Sequence, residues 1–200
     1  MVKREKQPII RRIGLLGMSL ALLASPAAIT GSQQRIAMAD PLFGIPYDPQ
    51  EVRFEEAPAK IRRFCPYLRD QKLWTGKLWI YAHLKTEDAE YFVVSGYMTI
   101  YPDGPGPVSS EPGDGTAVAL RGRKCTVDNS EYFLRGEAPA GEQRIIQVDG
   151  SVLNRIAADA LQRYANAFGG KNNFLKHVTE KDRKAVPPVL RKQLELFEKN

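Results

Sequence analysis

Histidine and cysteine are both scarce: the 200 residues include two of each, His83, His177, Cys65 and Cys125. A zinc centre needs three or four His, Cys or carboxylate ligands brought together, so no metal or other cofactor is expected. No G-x-S-x-G elbow occurs, since Ser95-Gly96 lacks the leading glycine. Gly169-Gly170-Lys171 has the ending of a phosphate loop, but Ala165 stands in place of its first glycine and Asn172 in place of its metal-binding hydroxyl. Asp103, Glu111 and Asp114 miss the ligand spacing of a calcium loop. Arg121-Gly122-Arg123-Lys124 is a short basic cluster without interleaved aromatics, which argues against nucleic acid as a partner. No catalytic residue is assigned.

Long apolar runs are also missing. Ile13–Leu23 is shorter than the roughly 20 residues of a membrane span. It follows Lys3, Arg4, Lys6, Arg11 and Arg12 and precedes the small residues Ala24-Ser25-Pro26-Ala27-Ala28. That order of basic, apolar and small residues is the pattern of an export signal. Residues 1–39 are therefore read as a signal peptide, cleaved before Asp40 after Ala37-Met38-Ala39, or earlier, before Ala28. Extending the run to Ile29 gives the competing reading, an uncleaved anchor, which is the one expected route to a membrane. Arg11-Arg12 fits a twin-arginine signal poorly because of Ile10 and Gly14. The expected location is periplasmic or extracellular.

The leader also explains the charge. The whole chain has a net charge of +6, yet residues 1–39 hold six basic side chains against Glu5 alone. What remains, 23 basic and 22 acidic side chains, is almost balanced, so the high isoelectric point belongs to the leader. An asymmetry survives: residues 40–150 are net acidic and 151–200 net basic. Either the two halves attract each other or the second offers a basic face to an acidic partner. In an oxidising compartment two cysteines most simply form one bridge, so Cys65 and Cys125 are paired. The alternative is a reactive thiolate at Cys125, favoured by Arg121, Arg123 and Lys124 beside it.

Lys77–Tyr101 alternates with period two on both sides of a short polar connection, which predicts an antiparallel hairpin. Strict alternation puts Leu78, Ile80, Ala82, Leu84, Phe92, Val94, Met98 and Ile100 on core-facing sides. It collects Trp79, Tyr81, His83, Tyr91, Tyr97 and Tyr101 on an aromatic face with polar tips. Amphipathic aromatics suit interfaces, and these six residues are the expected binding face. The competing reading is that helices or the N-terminal arm simply cover them.

Residues 40–57 form that arm, with Leu42, Phe43, Ile45 and Tyr47 among three prolines and a glycine in its first ten residues. It packs on its own domain or docks on another protein. Val52–Phe54 is read as a short strand, and Glu55-Glu56 as divergent surface charge. Residues 58–200 make one domain. Pro58 opens a brief helix that Pro66 ends. Residues 102–115 carry four prolines and four glycines and are read as a connection without regular structure. Thr116–Gly122 and Tyr132–Leu134 are read as strands. From Ser151 to Phe168 apolar residues recur at helical spacing, capped by Asp149 or Ser151 and stopped by Gly169-Gly170. Shorter helices follow at Asn173–Val178 and from Pro187-Pro188.

The fold class is α+β: an antiparallel sheet of four to five strands with C-terminal helices on one face. The expected function is that of an exported, non-enzymatic binding or accessory protein whose partner is another protein or a small ligand. The alternative is a small secreted hydrolase-like enzyme in which His83 works with a carboxylate that the sequence does not identify.

Overall fold

The computed structural model describes residues 38–39, 41–70, 74–100, 109–112, 115–136 and 145–200. The expected leader, apart from Met38–Ala39, lies outside these residues, as does Tyr101. Arg35–Asn200 forms one compact unit. Its elements in order are β1 (Met38–Ala39), β2 (Pro46–Tyr47), β3 (Glu55–Glu56), α1 (Ala59–Phe64), α2 (Pro66–Asp70), β4 (Trp74–Lys85), β5 (Glu90–Ile100), β6 (Ser109–Pro112), β7 (Thr116–Arg121), β8 (Lys124–Asn129), α3 (Ser130–Arg135), α4 (Gly150–Ala167), α5 (Lys171–His177), α6 (Glu180–Ala185) and α7 (Pro188–Lys199). The main sheet runs β3-β4-β5-β7-β8, all antiparallel, and β6 continues the β7 side of β5. The α+β class is what the alternation and the late helical period predict.

The hairpin β4–β5 departs from strict pairing twice, between Thr75 and Leu78 and between Ile80 and Ala82, and the second shift decides the faces of the strand's later residues. Ile80 pairs with Val94 and Ala82 with Val93, so Tyr81 is an extra residue, a bulge. Before the bulge Leu78 and Ile80 point to the face carrying α1 and the disulfide. Beyond it the sides exchange. Tyr81, Ala82 and Leu84 point toward α4, and His83 turns to the other face, where its ring stacks on Phe92 with centroids 4.3 Å apart. The expectation that His83 shares a face with Trp79 and Tyr81 is thus corrected, because a single inserted residue inverts everything after it.

Both faces of the sheet are covered. On one, Tyr81, Tyr91, Val93, Ala117 and Ala119 meet Ile156, Ala160, Leu161 and Tyr164 of α4, together with Leu42, Phe43, Ile45 and Tyr47 of the arm. The arm packs on its own domain. On the other, Leu78, Ile80, Phe92, Val94, Val118 and Leu120 meet Ile61, Cys65 and Leu68. The Cys65–Cys125 bridge, closing 60 residues, ties α1 to β8 across that second face.

Local chemistry explains most ends and three corrections. Asp149 caps α4 by accepting from the Val152 N–H at 2.9 Å, and Gly169 and Gly170 follow its last residues with positive φ. Residues 132–134 are helix rather than strand. Asn129 accepts from the N–H groups of Glu131 and Tyr132, Gly136 supplies the left-handed stop at φ 72°, and the Phe133–Leu134 pair is buried on the α4 side. Ser109–Pro112 pairs with Tyr97–Ile100, so a strand does survive within 102–115. It lies at the edge, where proline is tolerated. The strand read at Val52–Phe54 sits one step later, at Glu55–Glu56. Their side chains diverge as expected, Glu55 to Arg163 at 2.6 Å and Glu56 to Lys77 at 3.0 Å.

Two stability outcomes follow from this core. Replacing both Cys65 and Cys125 by serine is expected to cost up to about 4 kcal/mol on the chain-entropy account of a loop this long. Tyr81→Ala is expected to cost about 3–5 kcal/mol, since a packed large aromatic is removed. Denaturant melts of the oxidised protein and the two variants check both; a Tyr81→Ala protein as stable as wild type would mean that this ring is not core.

Candidate functional site

Of the six expected binding residues, the structure describes the side chains of Trp79, Tyr81, His83 and Tyr91, and these four do not share one surface. Tyr81 and Tyr91 are 1% and 4% exposed, under the arm and α4. The Tyr81 hydroxyl lies 3.1 Å from that of Tyr47, and its ring 4.4 Å from Phe54. Trp79 is half-buried against the same core, with the Lys77 ammonium 5.9 Å from its ring. The Tyr97 side chain and Tyr101 fall outside the described residues. For Tyr81 and Tyr91 the recognition face is therefore corrected to core. The Tyr81 hydroxyl, one of the polar tips that suggested an interface, bonds inside the protein to Tyr47 of the arm.

His83 belongs to a different group. Its Nε2 lies 3.0 Å from Glu90 Oε1 across the β4–β5 ladder. Glu90 is also held by Lys60 of α1, whose Nζ is 2.6 Å and 2.5 Å from the two carboxylate oxygens. Lys60 lies 5.6 Å from the Phe92 ring centre, so cation, carboxylate and imidazole form a compact group over one aromatic ring. The backbone N–H of His83 donates to Asp159 Oδ2 at 2.7 Å, and Arg163 donates to the same oxygen at 2.7 Å. The strand is thus pinned to α4 at His83. Partial burial pushes the Glu90 carboxyl up, but hydrogen bonds and charge from Lys60 and His83 outweigh it and hold its pKa below the usual glutamate value.

Glu90 forms part of the wall of a recess of about 200 Å³ at one end of the sheet. Lys60 and Phe64 line one side, the β4–β5 turn (Lys85 to Ala89) another, and Leu120 and Gly122 the third. His83 does not line it. Two turns of opposite charge meet there. One carries Glu87 and Asp88, the other Arg121, Arg123 and Lys124. The Thr86 hydroxyl donates to Asp88 at 2.7 Å and, with Asp88's own N–H and the charge of Arg121, lowers the Asp88 pKa. Gly122, at φ 61°, makes the tight two-residue turn possible. Lys85 and Arg123 are exposed and make no ion pair among the described residues. A larger hollow of about 420 Å³ lies beside Gln162, Asn166, Lys171 and Phe197, but Lys171 already donates to the Glu198 carbonyl and covers Phe197.

Sequence reading singled out His83 but neither Lys60 nor Glu90. Glu90 is legible in hindsight as the residue facing Lys85 across the turn. Nothing in the sequence ties Lys60 to a residue 30 positions away. Among the described residues no three His, Cys, Asp or Glu side chains gather as metal ligands, and no helix is long and apolar enough to cross a membrane. The disulfide is compatible with an oxidising, exported location. No family model, curated protein or solved structure matches the chain.

The Glu90 carboxylate gives a pH signature with a definite sign. Its folded pKa lies below its unfolded value, so its contribution is complete above the ordinary glutamate range and is lost as pH falls through the folded value. Glu90→Gln is expected to be about 1–2 kcal/mol less stable than wild type at neutral pH, as charge-assisted bonds to Lys60 and His83 weaken. The gap is expected to close in acid, below the ordinary glutamate range. Denaturant titrations of both proteins at neutral and acidic pH measure it; a gap unchanged by pH would remove Glu90 from this role.

Proposed function

We propose that the protein is an exported binding or accessory protein, non-enzymatic, that recognises a partner protein or small ligand at the sheet-end recess. The observation that carries this reading is the recess itself: a shallow hollow whose ion pair, Lys60–Glu90, is complete while Lys85 in its wall, and Arg123 next to Gly122 in its wall, pair with no acidic side chain among the described residues. Recognition surfaces use charges of this kind for orientation and encounter rate more than for raw affinity. The preferred ligand feature is an acidic group that reaches both cations. Export is supported by the basic, apolar and small-residue order of residues 1–39 together with the disulfide.

The test uses the disulfide-bonded protein as bait in extracts of the exporting compartment, wild type beside Lys85→Glu/Arg123→Glu. A partner held by wild type and released by the double variant is the expected result. Equal capture by both removes the recess from recognition. Intact mass of the exported form should begin near Ala28 or Asp40; a form keeping residues 1–39 in the membrane fraction overturns cleavage.

A second reading, hydrolase-like chemistry, has one observation in its favour. Glu90 is a carboxylate that fixes His83 through Nε2, and Nδ1 of His83 makes no hydrogen bond among the described residues. An imidazole oriented in this way can accept a proton from water or a hydroxyl at Nδ1. Against it, His83 lies outside the recess and no serine or cysteine bonds to it. Turnover of simple ester substrates that vanishes in His83→Gln and Glu90→Gln would favour this reading; wild-type protein without turnover of them counts against it.

A further inference from the structure

The two edges of the main sheet are finished differently. On the β4 side, β3 covers Trp79 and Ile80, Ala57 donates to the Leu78 carbonyl, and Asp159 takes the His83 N–H. On the β8 side the backbone is open. Ser130 donates to the Gly115 carbonyl at 3.0 Å, and the two-residue turn closes on Arg121 and Lys124. The hydrogen-bonded pairs of this antiparallel ladder are therefore 121/124, 119/126 and 117/128. Cys125 and Val127 direct their N–H and C=O groups away from β7, and among the described residues neither backbone bonds to another segment. Ile145 and Ile146 donate to the Asp128 side chain, which shares the α4 face with Ala117, and not to the outward backbone groups of Cys125 and Val127.

We propose that this edge pairs with the same edge of a second copy, antiparallel, about a twofold axis through Thr126. Chemistry selects that occupant. The strand reads Lys124-Cys125-Thr126-Val127-Asp128, so pairing centred on Thr126 sets Cys125 opposite the partner's Val127. Those are the residues whose backbone groups face outward, and each such pair exchanges two hydrogen bonds. The same register puts Lys124 opposite the partner's Asp128, twice, at non-hydrogen-bonded positions where side chains approach most closely. Lys124 is exposed and has no ion partner. Asp128 accepts from the N–H groups of Asn129, Ile145 and Ile146, three of a carboxylate's roughly four acceptor sites, which leaves one for the partner's lysine. Tyr132 and Ile145, both exposed, add apolar surface at the Asp128 end. An edge this short buries less than the roughly 1,200 Å² of a stable interface, so the dimer is weak and reversible.

Sedimentation equilibrium of the disulfide-bonded protein over a wide concentration range tests this. The weight-average mass should rise from one copy toward two. Val127→Pro removes an outward N–H without touching a bond to β7, and Lys124→Glu sets like charges opposite each other; each should return the mass to one copy while the melting temperature of the dilute protein stays near wild type. Thr126→Cys reads the register. The two copies' Cα atoms at a central non-bonded pair lie about 4.5 Å apart, within disulfide reach, so the variant should form a covalent dimer in mild oxidant. A single-copy mass at every concentration overturns the proposal, as does a dimer that Val127→Pro and Lys124→Glu leave intact.

Discussion

The extra residue at Tyr81 governs what each side of the sheet has to pack against. Without it, alternation along β4 would send Tyr81 and His83 the same way and leave Ala82 and Leu84 facing the disulfide side. With it, two successive residues, Tyr81 and Ala82, lie against the helix side. The Tyr81 ring then reaches between the arm and α4, where Phe54 and Tyr164 receive it and Tyr47 takes its hydroxyl. The aromatic contacts around Tyr81 join the arm to α4 through Phe54 and Tyr47. A bulge also twists its strand, which helps β4 follow the curvature that a long helix across the sheet demands.

The same inversion creates the polar group on the opposite face. Turned away from α4, His83 meets Phe92 and falls within reach of Glu90 beside the turn, and α1 brings Lys60 to that carboxylate. α1 is short and has no side-chain cap at its start. Its position therefore rests on the burial of Ile61, the bridge at Cys65 and the Lys60–Glu90 pair. Reducing the bridge loosens the wall of the recess as well as the core, which links the redox state of the compartment to the shape of the proposed recognition site.

Legibility followed the range of the forces involved. The helix from Gly150, its Asp149 cap and its glycine stop are local, and local pattern finds them. The hairpin and the disulfide were legible because alternation and cysteine count leave few options. The bulge was not, because Tyr81-Ala82 carries no glycine or proline to mark it, and its cause is tertiary: a large ring with a cavity waiting between Phe54 and Tyr164. Tyr132–Leu134 misled for the opposite reason. Aromatic and aliphatic side chains suggest a strand, while the deciding signals, Asn129 before and Gly136 after, flank the segment. The helix at Glu180–Ala185 was missed although Thr179 and Asp182 form a capping box, since it buries no residue and so shows no apolar stripe. Tyr81 and Tyr91 are core rather than surface because a tyrosine's polar tip is compatible with an interface and with burial alike; only the paths of the arm and α4 distinguish them.

The unequal edges connect these observations to function. Closing the β4 edge draws on long-range chemistry: a strand from the arm, a carboxylate from α4 and the Arg163 that links Asp159 to Glu55. The β8 edge receives none of this, although the bridge at Cys125 fixes its position and the tight turn at Gly122 fixes its start. With its start fixed by the turn and the bridge and its end by the Ser130 N–H bonded to the Gly115 carbonyl, this strand is well suited to add another, because little ordering entropy is left to lose on pairing. Its charges are arranged so that an identical strand in one register is attracted, while a strand bearing lysine opposite Lys124 is repelled. The recess and the edge share the Arg121–Lys124 turn, so a copy bound along β8 brings its own basic turn toward the far end of the first copy's strand, at Asp128 and Asn129. The proposed pairing would set the two recesses at opposite ends of a continuous sheet, where the proposed recognition could engage one extended partner at two points.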